Sequence, residues 1–183
     1  LTTTKAELKN TVNALKPAGA TAADYAMDHA KTLVDRSKSD EATNPNRKNV
    51  KRIVIFFTDG EPNHESGFDK SVANTAIRTA KGIKADAKMY SIGVFKDADA
   101  NSTKDKFNKY MHGMSSNYPN ATAYNNLGTR ATNSDGSKTA FYKAATHASE
   151  LNNIFNEIQE EIMRRPSLRR KWKPVRIRRR AAT

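Results

Sequence analysis

Five consecutive apolar residues, Ile53-Val54-Ile55-Phe56-Phe57, constrain this chain more than any other feature. A run this short, made only of β-branched and aromatic side chains, predicts a strand. Its lack of alternation predicts burial on both faces, as in a parallel sheet. Such a strand wants a neighbour on each edge, so further strands are expected upstream of Leu1.

Helical and strand patterns alternate around it. Thr4-Lys5-Ala6-Glu7 has the form of a capping box, and Leu8, Val12 and Leu15 follow on one helical face. Pro17 and Gly19 break that helix. Thr21-Ala22-Ala23-Asp24 opens a second, with Ala22, Ala26, Ala30 and Leu33 at helical spacing, and the polar residues 37–50 read as a loop. After the strand, Val72, Ala76, Ile77, Ala80 and Ile83 form a helical stripe, and 89–95 is a second strand. Phe107, Tyr110, Met111 and Met114 suggest a short helix. A polar stretch at 117–138 precedes a weaker strand at 139–144, and Leu151, Ile154, Phe155, Ile158 and Ile162 mark a closing helix. Strands alternating with helices predict an α/β fold over residues 1–162. It would be a partial doubly wound, Rossmann-like parallel sheet with helices on both faces.

The charge is uneven. Ten of the 32 Lys and Arg residues lie in 163–183, which holds no acid, so the first 162 residues carry 22 basic and 19 acidic side chains. The body is close to neutral, and the tail reads as a disordered polycation, as non-native sequence, or as a nucleic-acid-binding segment with Trp172 for stacking. Cysteine is absent, which excludes disulfides and thiolate metal sites. No run of eighteen apolar residues encodes a membrane span.

Ligands of open α/β sheets bind outside the carboxyl ends of the strands. Asp59, in Thr58-Asp59-Gly60-Glu61-Pro62, lies two residues past the run at 53–57 and so on that edge. Helices run antiparallel to the strands, so Thr21, at the start of the helix leading into that strand, is expected on the same edge. A hydroxyl and a carboxylate converging there suit a hard cation such as Mg²⁺, which takes oxygen ligands and keeps several waters. A partner's carboxylate could fill an open position, favoured by the helix dipole. The alternative is an N-cap at Thr21 and a simple turn at Asp59-Gly60.

The segments Leu15-Lys16-Pro17-Ala18-Gly19-Ala20-Thr21 and Ile53-Val54-Ile55-Phe56-Phe57-Thr58-Asp59-Gly60-Glu61-Pro62 resemble a von Willebrand factor type A domain. In that family a metal-ion-dependent adhesion site (MIDAS) is built from three pieces. They are Asp-x-Ser-x-Ser at the end of the first strand, a Thr in a second loop, and an Asp in a Thr-Asp-Gly-like turn. Thr21 matches the second piece and Asp59 the third, while the first is expected to be missing with the early strands. Met114-Ser115-Ser116-Asn117-Tyr118-Pro119 and Phe141-Tyr142-Lys143-Ala144-Ala145 resemble the subgroup on Gram-positive cell-surface and pilus adhesins. The resemblance implies an extracellular, cation-dependent binding module taking Mg²⁺, Mn²⁺ or Ca²⁺. Its partner would be a protein presenting a carboxylate: a host or matrix protein, or another pilus subunit.

Other motifs are decoys. Asp97-x-Asp99-x-Asn101 begins like an EF-hand, but Ser102 and Asn108 stand where Gly and Glu are needed. His64-Glu65 lacks the second His of a zinc protease, and no Gly-rich phosphate loop or nucleophile elbow occurs. His29, His64, His112 and His147 show no ligand spacing and read as surface or boundary residues. The chain is therefore expected to bind rather than catalyse. The alternatives are nucleic-acid binding through the tail, or an intracellular module of the same family in an assembly complex.

Overall fold

The run at 53–57 does form a strand, and one residue more: β1 spans Ile53–Thr58. The computed structural model describes residues 4–16, 19–47 and 49–163. β1 pairs in parallel with β2 (Lys88–Val94), from Ile53 opposite Lys88 to Thr58 opposite Gly93. β2 pairs in parallel with β3 (Tyr142–Ala145), giving the order β1-β2-β3. Parallel neighbours need crossovers, supplied here by α3 (Lys70–Lys84) and α4 (Lys106–Met114). The result is the expected α/β architecture, a three-stranded parallel sheet flanked by helices.

Burial of β1 differs from expectation. Phe56 and Thr58 are buried, whereas Ile55 and Phe57 are 41% and 48% exposed. Successive side chains of a strand point to opposite faces. Val54 and Phe56 join the core that α2 (Ala23–Thr43), α3 and α4 build with Met89 and Tyr142. Ile55 and Phe57 lie on the other face of an edge strand, and there burial is incomplete.

α3 matches its stripe: Val72, Ala76, Ile77, Ala80 and Ile83 are all buried, and the Asp69 carboxylate caps its first turn by accepting from Ser71 N and Val72 N. α1 (Lys5–Asn13) starts after Thr4 as expected, but Leu8, Val12 and Leu15 are exposed. α2 runs to Thr43, through much of the expected loop. Its polar end is held by local bonds: Lys31 pairs with Asp35, Ser39 Oγ donates to Asp35 O, and Arg52 bonds Ser37 O and pairs with Glu41. Its buried residues are Ala23, Met27 and Val34, and Leu33 is exposed, so the stripe is turned from the expected one.

The chain divides into two compact units, residues 1–150 and 151–183. In the second, α5 (Leu151–Met163) buries Ile154 and Ile158 and exposes Phe155. The basic tail lies, apart from Met163, outside the described residues.

The stretch after α4 is organised around buried Asn117. Its Oδ1 accepts from Thr139 Oγ1 at 3.1 Å and from Phe141 N at 2.8 Å. That assignment leaves Nδ2 to donate to His112 Nδ1 at 3.1 Å. Lys84 reaches the same region, donating to the carbonyls of Gly113 (2.6 Å), Tyr118 (2.8 Å) and Ser115 (3.3 Å). Burial pushes Lys84 down to about 7, while the three carbonyls favour its charged form.

His112 is fully buried, not a surface or boundary residue. Burial first, then the nearby Arg130, lowers its pKa from 6.5 to about 4. Between those values the unfolded chain binds the proton that the folded chain refuses, so stability falls as pH drops through this window. Denaturant titrations should therefore show a loss of roughly 2 kcal/mol from pH 7 to pH 5 that is absent in His112→Phe. An identical loss in that variant would assign the pH response to other groups.

Candidate functional site

Three segments converge at the carboxyl ends of β1 and β2. The first is the turn after β1. Thr58 is buried, and its Oγ1 donates to Gly60 O at 2.9 Å and accepts from Gly60 N at 3.2 Å. These bonds close the turn on itself and leave Asp59 exposed at its apex.

The second is the entry to α2. The Thr21 carbonyl accepts from Ala23 N at 2.8 Å and from Asn63 N at 3.0 Å, tying the start of the helix to the segment beyond the turn. The N-cap position falls to Ala22, so Thr21 is not the cap. Thr21 Oγ1 lies 2.7 Å from the place a Cβ on Gly60 would occupy. Thr21 and the turn that carries Asp59 are therefore brought together across 38 positions, and only glycine leaves room for that approach.

The third follows β2. Phe95, Lys96 and Asp97 join Asp59, Glu61, Asp105 and Phe107 around an open cleft of about 300 Å³. Phe95 stacks on Phe107 with ring centroids 4.1 Å apart, forming its apolar wall. Asp105 is committed as the N-cap of α4, accepting from Phe107 N at 2.7 Å and Asn108 N at 3.2 Å. Glu61 lies 3.6 Å from Lys106. Asp59 forms no ion pair among the described residues.

One pair was missed in the sequence. Asp24, in the first turn of α2, accepts from or shares a proton with His64 at 2.9 Å, and Tyr25 packs edge-on against the His64 ring. Asp24 Oδ1 is buried and has no partner among the described residues. Spacing could not show this pair, because 40 positions separate its members.

A literal Asp-x-Ser-x-Ser string is present after all, contrary to the expectation of its absence: Asp35-Arg36-Ser37-Lys38-Ser39. It lies in the middle of α2, not at the end of a strand. Asp35 pairs with Lys31, Ser37 Oγ accepts from Arg52 Nε at 3.2 Å, and Ser39 bonds its own helix. The string is thus occupied by contacts within α2 and with Arg52, and adds nothing to the edge.

Thr21 and Asp59 fit a hard cation in kind, since both offer oxygen. In number they are only part of a ligand set, and the described residues contain no cluster of three or more His, Asp or Glu able to hold a metal ion. The EF-hand decoy is a tied loop. Asp99 Oδ1 accepts from Asn101 N, while the Asn108 amide donates to Asp97 O and accepts from Asp99 N.

Gly60→Ala should force Thr21 Oγ1 out of its place and cost about 1–3 kcal/mol, as overpacking does. Denaturant unfolding would give the cost, and faster hydrogen exchange at Asn63 N would report the displaced Thr21. Unchanged stability and exchange would mean that the approach is not tight.

Comparison with known families agrees with the fold. The family model of the von Willebrand factor type A domain matches residues 1–157. Neither a curated protein nor a solved structure matches the chain. The match takes in all three strands, the Thr21 entry and the Asp59 turn, and on that extent the chain belongs to the von Willebrand factor type A domain family.

Proposed function

We propose that this chain is a metal-dependent binding module of a cell-surface protein, and that it holds its partner at the carboxyl edge of the sheet rather than catalysing a reaction. Domains of its family are in general protein-interaction modules, often dependent on metal. The observation that carries the finer reading is the approach of Thr21 to the Asp59 turn at Gly60. That approach puts a neutral hydroxyl against the turn whose exposed Asp59 lines the cleft.

Each residue has a role that follows from its place. Thr58 fixes the turn. Gly60 admits Thr21. Thr21 would ligate the ion directly or through water, and Asp59 through water. The first turn of α2, a helix of 21 residues, adds the partial positive charge of its N-terminus, which favours an incoming anion. A bound Mg²⁺, Mn²⁺ or Ca²⁺ would supply a Lewis acid that accepts a carboxylate oxygen of the partner protein. The adhesin-like segments at 114–119 and 141–145 support a host or matrix protein, or a pilus subunit, as that partner, and an extracellular Gram-positive setting.

Two oxygen ligands provide little charge with which to dehydrate the ion, so metal affinity should be low. Calorimetric titration with MnCl₂ should give a dissociation constant on the order of millimolar or weaker, removed by Asp59→Ala. A glutamate-containing peptide should bind only in its presence and be released by EDTA. Micromolar metal binding untouched by Asp59→Ala would place the site elsewhere. Peptide binding that survives EDTA would end the metal-dependent reading.

A further inference from the structure

The long segment between α4 and β3 carries a second cavity, lined by none of the residues of the Thr21 and Asp59 edge. It measures about 330 Å³ and is shared with α4 and the loop before it. Its walls are fixed from behind. Tyr118, Tyr124 and Leu127 pack against the core. Lys84 donates to the Tyr118 carbonyl at 2.8 Å, and the Tyr118 ring meets His112 edge-on. Tyr124 N donates to Asn74 Oδ1 at 3.1 Å, tying this wall to α3, and its ring meets Phe68 edge-on. Asn126 N donates to Ala123 O at 3.0 Å and Thr122 N to Asn126 O at 3.1 Å, a tight turn with Tyr124 and Asn125 at its tip. A site held this way loses little freedom when it binds.

The polar groups on those walls are uncommitted. Among the described residues, the side chains of Lys109, Asn125 and Asn126 make no hydrogen bond or ion pair, nor do the hydroxyls of Thr103, Tyr118 and Tyr124. No Asp or Glu lines the cavity, so its formal charge is that of one ammonium. That disfavours a cation and suits a ligand with a single negative charge. Amides and hydroxyls both donate and accept, so they pair best with groups that do the same at several adjacent positions, as ring hydroxyls do. The two phenol rings add apolar surface beside these polar groups. A phosphate dianion would call for more than one cation or a fork of donors, and none is here. We propose that this cavity binds an acidic sugar residue, a pyranose carrying one carboxylate. Lys109 takes the carboxylate, Asn125 and Asn126 take ring hydroxyls, and the tyrosine rings cover the C–H face of the sugar. No metal ion takes part, so the site works independently of Thr21 and Asp59.

Amide NMR titration of the whole chain, run in EDTA, tests this with sodium glucuronate, galacturonate and N-acetylneuraminate. At least one should shift the amides of Lys109 and of residues 118–128 saturably, with a dissociation constant on the order of millimolar. Glucose and sodium acetate, which offer the hydroxyls or the carboxylate alone, should each bind about tenfold more weakly or worse. Lys109→Met should bring the acidic sugar down to the level of glucose, and Asn125→Ala should weaken both sugars. An unchanged spectrum away from the cavity would show that each variant folds. Asp59→Ala should bind the sugar as the unaltered chain does, so failure of the cation site leaves this result untouched. Absence of saturable shifts with all three acidic sugars overturns the proposal. Acetate binding as tightly as the sugars would make the cavity a general anion site and overturns it too. So does an acidic-sugar preference that survives Lys109→Met.

Discussion

Six consecutive parallel pairs between β1 and β2 are the constraint on which the rest of the structure depends. Parallel strands cannot be joined by a hairpin, so α3 must carry the chain back along the sheet. That return buries Ala76, Ile77, Ala80 and Ile83 in one core with Phe56 and Met89 and packs α3 on α2. It also puts the ends of both strands on one edge. Asp59 and the Phe95-Lys96-Asp97 segment share a cleft because the ladder holds those ends level. The chemistry available at the edge follows from strand direction.

Within that frame, close approach decides which residues meet. Gly60 is required because Thr21 occupies the space a methyl group would take. The two main-chain bonds at the Thr21 carbonyl then hold the start of α2 in register with the turn. On the other side of the sheet order, Asn117 does for the long segment before β3 what a strand ladder would otherwise do. It satisfies Thr139, Phe141 and His112 with a single buried amide. A buried polar group is tolerated when every partner is supplied, and such networks make the surrounding chain adopt one path.

How much of this was legible in the sequence varied with the kind of interaction. α3 and β2 were plain, because a buried stripe and a buried run are local periodic signals. The extension of α2 through Ser37 to Thr43 was not. Its residues are polar, and what holds them helical is a set of side-chain bonds, some reaching to Arg52. The Asp35-Arg36-Ser37-Lys38-Ser39 string shows the converse. Its letters satisfy a metal-site pattern, but the helix directs them to Lys31, to its own backbone and to Arg52. His112 looked like a boundary residue because no spacing rule reports that Asn117 will pair with it. The Asp24–His64 pair escaped notice for the same reason.

The sequence by itself determined the class of fold, the direction of the strands, and the edge on which Thr21 and Asp59 would lie, since periodicity and chain order are properties of the chain alone. Tertiary structure decided how near the two come, that α2 outlasts its apolar stripe, and that β1 is an edge with one face partly open. Burial and close approach depend on what packs from elsewhere in the chain. An apolar run states only which residues would gain from being covered, and the packing of the folded chain determines which of them are.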